Sequence, residues 1–172
     1  MPRPVNFRRL WTSRAALAGD AGTIAMVFPH LMSVALRQGG VFTVEQARSA
    51  GCSDAEIRQC LRSGAWTSVR RGVYAEGRTA SRLDEAGGHR LACAAAVLAY
   101  RRSDPVVSHE SAAVMHDLPL LTETSALAAP SLTSDRREAR TRPDVRLHAA
   151  ALPRGHRTNV AGGGHDCGSY GL

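Results

Sequence analysis

Lysine is missing from the 172 residues; all 22 basic side chains are arginine. Together with abundant alanine and glycine, this points to a GC-rich coding bias, so the choice of arginine says little by itself about phosphate recognition. The CxxC spacing is missing too. Cys52, Cys60, Cys93 and Cys167 are scattered and two of them fall in expected helices, which speaks against a zinc site or disulfide framework and for a reducing, cytoplasmic setting. Long apolar runs are also lacking: the most apolar stretch, Leu91 to Tyr100, reaches about half of the roughly 20 residues needed to cross a bilayer. It reads as a core helix, and no membrane partner is expected. The chain has no GxxxxGK[ST] phosphate loop, no PD…ExK-like carboxylate pair on an expected strand, and no internal repeats.

What is present is positive charge. The formal net charge is +7 and the pI about 10.2. Residues 1–30 hold four arginines against one carboxylate and residues 31–80 seven against four, while the remainder nearly balances. A basic surface attracts polyanions and speeds encounter with them, so nucleic acid leads the expected partners. In residues 1–31, Arg3, Arg8, Arg9 and Arg14 precede a partly apolar stretch interrupted by Asp20 and Pro29, without a convincing cleavage site. A disordered extension, or a start assigned upstream of Met26 or Met32, is expected there.

The strongest local signals lie in residues 33–78. Met32 to Gln38 reads as a short helix stopped by Gly39-Gly40. Thr43-Val44-Glu45-Gln46 is a capping-box pattern that starts a second helix ending at Gly51. Ser53-Asp54-Ala55-Glu56 repeats the pattern and starts a third helix, with Ile57, Cys60 and Leu61 on one face and Gly64 as its stop. Ala65 to Ala75 then carries β-branched and aromatic residues around an Arg-Arg-Gly turn, a β-hairpin signature in which Trp66 and Tyr74 are expected to pack onto the helices. Two capped helices followed at once by a hairpin give the order of a winged helix-turn-helix.

Beyond a polar link at 76–82, a second unit is expected at 84–158: a helix over 84–102, a short one from Ser108 to Leu118, and strands at Ser131–Thr133 and Val145–Leu152. The glycine-rich residues 159–172 are expected to be a disordered tail. The predicted class is α+β, a winged helix-turn-helix followed by a small helical/β unit.

In such a motif the second helix enters the major groove with its N-terminal part near the bases. Opposite its apolar face, this helix offers Arg58, Gln59 and Arg62, beginning at Ser53; Arg58 and Gln59 suit guanine and adenine edges. Arg70 and Arg71 at the hairpin tip suit phosphates or a minor groove. Ser108-His109-Glu110-Ser111 and His116-Asp117 contain the residue types of a hydrolytic triad, but Ser108 reads better as a helix cap, and no catalytic residue is assigned. His165 and Cys167 would need a distant third ligand such as His156 to hold a metal, and neither metal nor cofactor is assigned.

The run Gly40-Val41-Phe42-Thr43, Ala47, Ala50-Gly51, Ile57, Leu61, Gly64-Ala65-Trp66 and Arg70-Arg71-Gly72-Val73-Tyr74 resembles the AbiEi-type antitoxin N-terminal domain of many actinobacterial proteins. Val107 to Ala113 with Leu118-Pro119, and Val145 to His148 with Leu152-Pro153, look like the segments that follow it, so the resemblance spans about 35–158. It implies a type IV toxin-antitoxin antitoxin, or a relative with the same fold, that represses its own promoter. The implied partners are operator DNA and a cognate toxin, and a non-enzymatic, cytoplasmic protein is expected. Longer members continue into a further C-terminal region before which this chain stops, the pattern of a truncated member. The alternatives are a toxin-binding interaction module and a fragment of a nuclease-fused protein.

Overall fold

A computed structural model describes residues 28–120, 127, 129–135, 140–162 and 165–171. The expected N-terminal extension lies outside the described residues up to residue 27. Its last residues are already helical: α1 spans Pro29–Arg37, with proline in its first turn, where the missing N–H costs nothing, and Leu31 and Ala35 buried. Gly39 and Gly40 follow in the left-handed region, as the helix stop requires.

β1 (Val41–Thr43) is fully buried and was not legible beforehand, because three residues are too few to show an alternation. α2 (Val44–Ser49) and α3 (Asp54–Ser63) carry the two capping boxes that the spacing predicts. In the first, the Gln46 amide donates to Thr43 Oγ1 at 3.2 Å while Gln46 Oε1 accepts from the Thr43 amide at 2.8 Å. Ser53 and Glu56 repeat the exchange at the start of α3, which ends on a left-handed Gly64. β2 (Trp66–Arg70) and β3 (Val73–Glu76) form the hairpin, with β1 antiparallel to β3 on its other side. This is the topology of a winged helix-turn-helix.

Trp66 anchors this unit. It is buried among Leu31, Phe42, Ala47, Ile57 and Cys60, edge-on to Phe42 at 4.8 Å and stacked with Tyr74 at 6.4 Å. Both aromatics therefore pack the hairpin onto the helices, as expected. After β3 the chain turns immediately into a short helix, α4 (Gly77–Ala80), where a polar link was expected. The turn is so tight that a Cβ on Gly77 would lie 2.0 Å from the Gly64 carbonyl oxygen.

α5 (Glu85–Ala99) is buried from Leu91 to Ala96 and serves two cores. Leu91, Ala94 and Ala95 pack with Val41, Val73 and Ala75 of the three-stranded sheet, whereas Cys93 and Ala96 pack with Val106, Val107, Leu132 and Val145 of a second sheet. That sheet, six-stranded among the described residues, comprises β4 (Val106–Val107), β5 (Ser131–Ser134), β6 (Arg140–Arg142), β7 (Val145–Ala149), β8 (Arg157–Gly162) and β9 (His165–Gly171), in the order β6-β7-β5-β4-β9-β8. α6 (His109–Met115) links β4 toward β5. β5 and β7 were expected; they pair in parallel, with Leu132 opposite Leu147.

Two expectations need correction here. The stretch between the two expected strands, read as a link, contains β6, paired antiparallel with β7. The glycine-rich stretch expected as a tail forms an antiparallel pair, β8 with β9, and β9 joins β4 at Val107 and Tyr170. Strand addition satisfies backbone groups without requiring an apolar side-chain pattern, which is why composition did not reveal it.

A polar layer lies between α5, α6 and β5. The His89 ring bonds the Leu127 carbonyl through Nδ1 (3.1 Å) and the Ser111 hydroxyl through Nε2 (2.9 Å), and Ser111 also accepts from the Ser131 amide at 2.9 Å. Since a carbonyl only accepts, the proton sits on Nδ1 in the neutral ring. Burial lowers the pKa of His89 and of His148, with the neighbouring His109 adding to the effect on His148.

Two predictions follow from this packing. Histidines held neutral contribute stability that is complete above about pH 6.5, the ordinary histidine value, and is lost as pH falls toward their depressed folded values. Urea midpoints measured from pH 8 to 5 are expected to drop below about pH 6.5, and to drop less in His89→Leu. Gly77→Ala is expected to destabilise by about 1–3 kcal/mol in the same assay, the usual cost of forced overpacking; a wild-type midpoint would show that the Gly64 turn yields.

Candidate nucleic-acid interface

α3 buries Ile57 and Cys60 and leaves Asp54, Glu56, Arg58, Gln59 and Arg62 exposed, the division its 3.6-residue period dictates. Arg62 Nη2 donates to Gln59 Oε1 at 2.8 Å, one turn back, which holds two of the expected base-contacting side chains together. Arg58 stands on the same exposed face, close enough to Asp54 to help keep that carboxyl ionised.

Ser53, the first expected contact, is engaged in its own cap. Its hydroxyl donates to Glu56 Oε2 at 2.7 Å and accepts from the Glu56 amide at 3.3 Å, and its own amide donates to Glu56 Oε2 at 2.8 Å; the two bonds to the carboxylate lower the pKa of Glu56. Its place is structural, at the base of the presenting helix. Arg48 of α2, not singled out from sequence, bridges to Asp54 at 2.9 Å and holds that carboxyl below its ordinary range. The bridge spans the turn between the two helices. Its signal was available in the charge pattern, but only the fold shows that residues six apart face each other.

The two hairpin arginines part company. Arg71 occupies the two-residue turn with Gly72 and is exposed. The Gly72 carbonyl accepts from the Val44 amide at 3.0 Å, pinning the tip to the start of α2. Arg70, expected beside Arg71 on the DNA side, instead turns inward. A bulge between Ser68 and Arg70 shifts the strand alternation. The Arg70 guanidinium then lies 2.7 Å from Asp144 Oδ2, over the Tyr100 ring at 5.0 Å, and donates to the Tyr100 hydroxyl at 3.3 Å. Its side chain is only 14% exposed. A carboxylate and an aromatic face satisfy it better than solvent would, so it joins the hairpin to the turn before β7.

The hydrolytic residue types do not assemble as a triad. Ser108 makes no cap bond; its hydroxyl accepts from Thr133 at 2.8 Å and meets His109 Nδ1 at 2.9 Å. The His109 ring stacks on His148 at 4.0 Å. His116 and Asp117 sit at the opposite end of α6, where Asp117 pairs with Arg90. Among the described residues no group of three or more His, Cys, Asp and Glu is placed to hold a metal; the side chains of His165 and Cys167 lie outside what is described. Burial raises the thiol pKa values of Cys60, of Cys52 to about 11 and of Cys93 to about 12, so all three are protonated packing groups near neutral pH. No described helix is long and apolar enough to cross a membrane.

Because the Ser53 hydroxyl closes the cap, Ser53→Ala is expected to cost about 1 kcal/mol of stability. Ser53→Asp, which can still accept from the Glu56 amide, should recover much of it in denaturant titration. Equal midpoints for all three proteins would show that the box contributes nothing.

Comparison with known proteins agrees with this geometry over the first unit. No curated protein matches the chain. Residues 31–77, from α1 through the hairpin, match the family described as "Transcriptional regulator, AbiEi antitoxin", so this part of the chain is similar to an AbiEi-type antitoxin N-terminal domain.

Proposed function

We propose that the protein is a DNA-binding transcriptional regulator, an antitoxin-like autorepressor of a type IV toxin-antitoxin system acting in the cytoplasm. The observation that carries this reading is α3 itself: a doubly capped helix-turn-helix presents Arg58, Gln59 and Arg62 opposite a buried Ile57 and Cys60 face, with an exposed Arg71 on the adjoining hairpin. Arg58 and Gln59 read base edges in the major groove, Arg62 supports Gln59, and Arg71 holds phosphate. Ser53 and Arg70 act as supports, the first through the cap and the second through its tie to Asp144.

The test is fluorescence-anisotropy binding of the full chain to its own upstream DNA and to scrambled DNA across a salt series. Wild-type protein is expected to prefer its own sequence and to weaken steeply with salt. Arg58→Ala should erode the preference, by about 1–3 kcal/mol at the base it contacts, while Arg71→Ala should weaken both DNAs alike and flatten the salt slope by about one. Binding with no preference at any salt would overturn the regulator reading in favour of a protein partner.

A further inference from the structure

The hairpin tip, the start of α2 and the end of α5 meet at one corner. Gly72 is bonded to Val44 at the first turn of α2, and Arg70 lies on Tyr100, the residue that ends α5. Tyr100 leads directly into a 3-10 turn, Arg101–Ser103, whose Arg101 is exposed. Glu45, in the first turn of α2, has its carboxyl pKa lowered chiefly by hydrogen bonds to its own backbone and to Thr43, with the charges of Arg101 and Arg48 adding to the effect. Arg70, next to Arg71, lies on Tyr100, next to Arg101, so the hairpin tip bonded to the start of α2 and the turn that follows α5 are held side by side, each carrying an exposed arginine.

When the second helix of a helix-turn-helix lies in the major groove, the first crosses the sugar-phosphate backbone. Whatever is packed at the start of α2 then meets phosphates. We infer that the DNA backbone is gripped at this corner by Arg71 and Arg101 together, so that the DNA-contacting surface extends past the hairpin to the end of α5. This rests on the DNA-binding reading above. Arg70 is the positioning residue: its bonds to Tyr100 and Asp144 hold the two arginine-bearing turns side by side, and with its own charge offset by Asp144 it leaves phosphate contact to its neighbours. Glu45 works against the grip, since a carboxylate there repels phosphate unless Arg101 offsets it.

The experiment uses the full chain and the same two DNAs over a salt series. Arg101→Gln is expected to weaken binding to specific and scrambled DNA alike, by several-fold at low salt, and to reduce the salt slope by about one, as for a lost phosphate contact. Glu45→Gln is expected to tighten both several-fold, a gain that a misfolded protein cannot produce and that decides the matter if Arg101→Gln fails to fold. Wild-type affinity and slope in a folded Arg101→Gln, or an unchanged affinity in Glu45→Gln, would overturn the inference while leaving Arg58-dependent recognition standing. A wild-type protein that binds no DNA would instead remove the reading on which the inference rests.

Discussion

Burial of α5 on two opposite sides is the constraint on which the rest of the structure depends. A helix that must face two sheets at once has little room for large side chains, and Ala92, Cys93, Ala94, Ala95 and Ala96 supply a surface narrow enough for both to approach. Leu91 is the larger exception. It reaches toward Gly40, where even a Cβ would come within 3.4 Å of its Cδ1, and so locks α5 to the turn between α1 and β1. The winged unit and the mixed sheet therefore share one helix. They form a continuous body whose parts are distinguishable mainly by their sheets.

The charge balance of α3 is set within the first unit. α3 carries Arg58 and Arg62 against Asp54 and Glu56, and both carboxylates are committed, one to Arg48 and the other to the Ser53 cap. The exposed face of α3 is thus nearly neutral. On the DNA-binding reading proposed above, uniform attraction for a polyanion would come from outside α3, from Arg71 and Arg101. Such a division suits a regulator, because base contacts specify while phosphate contacts position.

The polar layer of the second unit has a different logic. His89, Ser111 and Ser131 satisfy one another where α5 and α6 cross β5, and Ser108 is tied to Thr133 rather than to the amides of α6. A buried polar chain of this kind costs stability if any member is removed, since the group left behind has no water to turn to. In the Ser-His-Glu-Ser run, Ser108 and Ser111 are engaged by these bonds and His109 stacks on His148.

The sequence by itself determined what depends on neighbours a few positions away. Both capping boxes, the glycine stops at Gly39-Gly40, Gly51 and Gly64, the hairpin around Arg71-Gly72, and the apolar face of α3 are local patterns, and each formed where its spacing says. Only the tertiary structure decided what depends on distant partners. β1 exists because β3 pairs with it, Arg70 turns inward because Asp144 stands 74 residues further along the chain, and the glycine-rich end becomes strands because β4 leaves an edge free to accept them. The reason is physical: a cap or turn is specified by the few dihedral angles and hydrogen bonds of one segment, whereas strand pairing and a buried ion pair take their free energy from groups that folding alone brings together.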